Sequence, residues 1–134
     1  MASELKVDKF TGVTTAGSID VTGEGNSTTT NLQQGLAKCW INYDATASSD
    51  YTRDSFNVAS TTDHAVGQHD VSFSNVMANV NHTGVTNGHR DDNVAISIIH
   101  YGQADLFRFK LNAHTSGTNT DSDATFGAIF GDLA

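Results

Sequence analysis

From residue 37 onward, apolar side chains repeatedly recur at every second position, and the whole chain contains no proline. In residues 37–43 the odd positions Ala37, Cys39, Ile41 and Tyr43 are apolar. Val71 and Phe73 alternate with polar neighbours in 70–74, and Phe107, Phe109 and Leu111 alternate with Arg108 and Lys110. Phe126, Ala128 and Phe130 share one face of 125–130. A period of two is what a strand with one buried face requires. Phe56 and Val58 read the same way, as core residues on one face of a strand over 55–58. Residues 94–101, VAISIIHY, are apolar on both faces, which predicts a central strand buried on both sides or covered by another subunit. Only 74–80 departs from this period. There Val76, Met77 and Val80 fall together at helical spacing, which predicts about one turn capped by Ser74 or Asn75.

Two parts follow from this distribution. Residues 1–34 hold two short β-like pieces, 5–10 and 18–22, and otherwise polar, glycine-containing sequence. Their apolar residues are too few to bury a core alone. This predicts an extended arm for attachment or oligomerisation, with Leu5, Val7, Ile19 and Val21 at the interface. Residues 35–134 carry the strands. The expected fold is all-β: an antiparallel β-sandwich or jelly-roll-like knob preceded by the arm. The connections fall at 44–52, 60–68, 82–92 and 112–123. The last two are long and rich in Asn, Asp, Gly, His and Thr, as binding or interface loops often are.

Charge narrows the partners. Seven Lys and Arg against fifteen Asp and Glu give a formal net charge of -8. That argues against a nucleic-acid partner, because phosphate binding needs a basic surface. No apolar run approaches the roughly 20 residues of a membrane span. The opening MASELKVDKF lacks the apolar stretch of a signal peptide, so synthesis and folding in a cytosol are expected. Cys39 is the single cysteine; no intrachain disulfide can form, and the alternation places it in the core as a small hydrophobe.

Chemistry-bearing patterns are scarce. The six histidines show no metal-ligand spacing on one element. His64 and His69 flank a turn and read as polar loop residues, and His100 reads as a hydrogen-bonded core or rim residue. The runs 91–93 and 121–123 offer hard oxygen atoms that suit calcium, but they lack the glycine and distal glutamate of an EF-hand and read as turn formers. There is no serine elbow, no P-loop and no dinucleotide fingerprint. The only glutamates, Glu4 and Glu24, lie in the arm. No catalytic residue, cofactor or metal is expected, and the chain does not read as an enzyme.

Two features remain. Arg53 and Asp54 form either a local ion pair or turn cap, or a bond between subunits. Trp40 points away from Cys39 and Ile41, so it either packs under a neighbouring subunit or the arm, or stacks on a sugar.

Residues 35–60, GLAKCWINYDATASSDYTRDSFNVAS, resemble a segment of fibre-like and other virion structural proteins of marine bacteriophages. Further matching pieces are VSFSNVMA at 71–78, the closing FGAIFGD at 126–132, and LKVDK with Gly17-Ser18-Ile19 in the arm. Cys39 stands at the family's usual alanine, and 82–92 is peculiar to this chain. The resemblance implies a virion structural protein: a trimeric tail-fibre, knob or capsid-decoration subunit, made in the host cytoplasm and anchored by its arm to capsid or tail proteins. Its interface would include Trp40, Arg53 and Asp54 beside the arm residues. The alternative is a host-recognition module that binds surface glycan through the loops at 82–92 and 112–123. Neither loop contains Trp, Tyr or Phe, which weighs against it.

Overall fold

A computed structural model describes residues 4–13, 19–23, 25, 27–47, 51–89 and 95–134. The chain divides into two compact units, Met1–Leu36 and Ala37–Ala134.

In the first unit, β1 (Asp20–Thr22) pairs antiparallel with β2 (Thr29–Asn31). A single helical turn, α1 (Leu32–Gly35), follows. Asn31 caps it by accepting a hydrogen bond from the Gln34 amide at 3.1 Å, which satisfies one of the donors that a helix start leaves open. The expected strand over 5–10 does not form, and the one over 18–22 shortens to β1. No described residue of this unit is buried.

The second unit holds β3 (Cys39–Tyr43), β4 (Thr52–Phe56), β5 (Val58–Ala65), β6 (Gln68–Phe73), β7 (Thr83–His89), β8 (Ala95–Gly102), β9 (Leu106–Ala113) and β10 (Ala124–Phe130). They form two four-stranded antiparallel sheets, ordered β4-β3-β10-β7 and β5-β6-β9-β8. This is an all-β sandwich. Its core is built from the inward alternate positions of both sheets, chiefly Cys39, Ile41, Tyr43 and Ile129 against Val71, Phe73, Phe107, Phe109 and Leu111. Burial pushes the Cys39 thiol up to about 12, so it is inert.

Two glycines are sterically required. Gly67 turns β5 into β6 with φ of 68°, and a Cβ there would lie 2.5 Å from the Leu111 carbonyl oxygen. At Gly84 a Cβ would lie 2.5 Å from the terminal methyls of both Ile129 and Ile99. A glycine there lets β7 close against the core.

Several expectations need correction; the connection expected over 60–68, with His64, is mostly strand β5. Phe56 and Val58 do not share a strand face. Asn57 sits between them with φ of 59°, in the left-handed region that Asn tolerates, and the chain passes there from one sheet to the other. Asn57 is fastened by its side chain, which donates to the Lys38 and Asn75 carbonyls and accepts from the Asn75 amide. Phe56 therefore ends β4 facing outward, half exposed, while Val58 packs on the core. Residues 74–80 form no helix. Met77 is buried and bridges to Leu133, and its amide donates to the Ala104 carbonyl at 2.7 Å, so tertiary partners replace a turn too short to stand alone. β8, expected to be central, ends its sheet; Ile99 meets the core and Ile98 is exposed. In β10 the inward residues are Thr125, Gly127 and Ile129, and Phe126, Ala128 and Phe130 face out.

Candidate functional site

The outer face of the β4-β3-β10-β7 sheet is the unusual surface. Strand pairing sets its rows. Trp40 lies opposite Phe56 and Ala128, and Ala128 lies opposite Val85, which makes the row Phe56, Trp40, Ala128, Val85. The next outward row is Asp54, Asn42, Phe126, Asn87. Relative exposures are 52% for Phe56, 38% for Trp40, 45% for Phe126 and 64% for Val85. These are large apolar side chains left in water on one contiguous face, an arrangement that marks binding surfaces rather than ordinary scatter. A groove of about 430 Å3 runs over it between Trp40, Asn42, Val85, Asn87 and Phe126. Among the described residues, no charged side chain lines the groove. The Asn42 Oδ1 atom is shut off from solvent and has no hydrogen-bond partner among the described residues.

A second constellation is internal. His69 alternates in register with Val71 and Phe73 on β6 and is fully buried, not a loop residue. Its Nε2 lies 3.3 Å from Asp121 Oδ1 and its Nδ1 lies 3.0 Å from the Tyr43 hydroxyl. A carboxylate only accepts, so Nε2 carries the proton and Nδ1 accepts from the hydroxyl. Burial lowers the His69 pKa, against the opposing pull of Asp121, and the ring stays neutral. Burial, with the nearby acidic groups, raises that of the Tyr43 hydroxyl well above its ordinary value. Neither group is activated for nucleophilic or acid–base work. Asp121 also accepts from the Gly67 amide at 2.7 Å, so the cluster ties the 118–123 connection to the β5–β6 turn. Beside it lies a recess of about 500 Å3 lined by Thr46, Tyr51, Asp63, Val66 and Asp121. Among the described residues, no three His, Cys, Asp or Glu side chains are grouped to hold a metal ion. None of the described helices is long and apolar enough to cross a membrane.

The residues expected at an interface are scattered. Leu5 and Val7 are exposed in a stretch without regular structure, and Val21 is exposed on β1. The Ile19 carbonyl accepts from the Leu32 amide at 2.8 Å, closing the small hairpin on α1. Trp40 and Asp54 share the outer sheet face. Arg53 pairs with Asp44 at 2.7 Å, not with its neighbour Asp54, whose carboxylate accepts from the Ser55 amide. Burial by itself raises the Asp44 pKa, but the hydrogen bonds from Thr46 and Arg53 together outweigh it and lower the value. The stretch 82–92, expected as a binding loop, is mostly strand β7, and residues 90–92 lie outside the described residues. Residues 112–113 likewise belong to β9. Sequence reasoning missed Phe56, Val85 and Phe126 as partners of Trp40. Shared parity of 126, 128 and 130 was visible, but which face met water was not.

No protein-family model, no curated protein and no solved structure matches this chain.

Proposed function

We propose that this chain is a structural subunit of a bacteriophage particle: a homotrimeric fibre, knob or decoration protein that displays its sandwich outward and attaches through unit Met1–Leu36. One observation supports this most. That unit buries none of its described residues, yet it carries Leu5, Phe10 at 60% exposure and Val13 at 97%. Apolar side chains held in water by a segment with no core find their stabilisation in assembly. Leu5, Val7 and Val21 are the contact residues on this reading, with capsid or tail proteins and sister copies as partners.

Sedimentation of the full chain and of residues 37–134 tests it. The full chain sediments as a trimer at micromolar concentration, and the shortened chain sediments as a folded monomer that no longer joins particles. A full chain that stays monomeric, or a shortened one that is incorporated normally, overturns the reading.

A further inference from the structure

We infer that the outer face of the β4-β3-β10-β7 sheet is a platform for a neutral saccharide, seated across Trp40 and Phe126. The inference goes beyond the assembly reading and does not rest on it.

Size comes first. Four strands about 4.8 Å apart and the two outward rows, about 6.7 Å apart, make a patch of roughly 250 Å2. A standard stable protein interface takes about 800 Å2 from each partner, so this face alone is too small to hold a second copy. Its groove, at about 430 Å3, instead has the volume of a small-ligand site. Charge points the same way. The described lining of the groove carries no charge and gives an ionic ligand no counter-ion.

The remaining chemistry is that of a sugar ring. A pyranose has one apolar C–H face and a rim of hydroxyls. Trp40 and Phe126 are diagonal neighbours on β3 and β10 and supply an aromatic surface for the C–H face. Asn42 and Asn87 flank Phe126 on the two adjoining strands and bring amide donors and acceptors to hydroxyls at either side. Asn42 Oδ1 lacks a donor among the described residues. Turning its amide about a soft terminal torsion offers that oxygen to a ligand hydroxyl, with the amide nitrogen moving into its place. Apolar and polar groups thus alternate along the groove because strand pairing places an Asn on each side of an aromatic residue.

Trp40 is the chain's single tryptophan and so its own reporter. The full chain is titrated with soluble glucan, chitin, mannan and galactan oligosaccharides while its fluorescence is followed. At least one series shifts the emission saturably. Asn42→Ala weakens that binding by about tenfold, the factor expected for one lost hydrogen bond. Phe126→Ala abolishes the shift with circular dichroism unchanged. His114→Ala, in the exposed connection after β9, binds as the parent does. An unshifted emission with every oligosaccharide overturns the inference, as does undiminished binding by both face variants. Emission that responds to protein dilution but not to sugar also overturns it, and makes a second copy the occupant. The titration uses the isolated chain, so its failure leaves the particle-incorporation test untouched.

Discussion

The two sheets of the sandwich share one core but present opposite outer faces. On the β5-β6-β9-β8 side, β6 turns out Gln68, Asp70 and Ser72, and β9 turns out Arg108 and Lys110. Asp70 and Arg108 are cross-strand partners joined by two hydrogen bonds, at 2.5 and 2.8 Å. On the β4-β3-β10-β7 side the corresponding positions hold Phe56, Trp40, Phe126 and Val85. The core draws its residues from the inner faces of both sheets, so folding does not demand the aromatic face. A polar face would serve the sandwich as well and would aggregate less. The contrast is one of composition: aromatic side chains gather on the first face, whereas the second is polar on β6 and β9 with the exposed Ile98 on β8 beside Lys110.

The contrast can be broken from the inside outward. Phe109→Ala removes a fully buried ring that touches Tyr43, His69 and Phe107. Loss of about 3–5 kcal/mol is expected from the transfer energy and the cavity together, read by chemical denaturation. A smaller loss would mean that the sheets do not share one core.

Arg108→Ala comes next, at about 1.5–3 kcal/mol, because it strips charge-assisted hydrogen bonds from a part-buried Asp70. The same pair has a pH signature. The Arg108 guanidinium lowers the Asp70 pKa below its ordinary value. The stabilisation is present above the unfolded carboxyl pKa of about 3.9 and is lost as pH falls through the lower folded value. Denaturation midpoints of the parent should drop more steeply in that acid window than those of Arg108→Ala; parallel curves would place the pair in free solvent.

Trp40→Ala is the smallest, within about 1 kcal/mol, because its ring is already partly in water. A loss near that of Phe109→Ala would show that something in solution covers the aromatic face.

Much of this was readable in the chain, and the failures have physical causes. The inward sets of β3, β6 and β9 follow from alternation, because one face of each is polar. β10 is different: Phe126 and Phe130 on one side are as apolar as Ile129 on the other, and its orientation depends on pairing with β3, more than eighty residues earlier. Asn57 separates Phe56 from Val58 by a single left-handed residue, and nothing in the spacing reveals that step. His69 shares parity with Val71 and Phe73, so its burial was legible there. Its polar type concealed it, since its partners Tyr43 and Asp121 come from distant parts of the chain.

The position of β10 also sets the order in which this protein can be made. The described strand that comes latest in chain order sits between β3 and β7 in the first sheet. Until residues 124–130 emerge, β3 and β4 have only each other, and Ile41 and Tyr43 await the neighbour that completes their layer. β5, β6, β8 and β9 can pair earlier through local hairpins and the β6–β9 contact. Such late, long-range closure makes folding slow and leaves half a sandwich exposed during synthesis. A chain cut between β9 and β10 keeps nearly all of the sandwich's apolar side chains but has no strand to join β3 to β7.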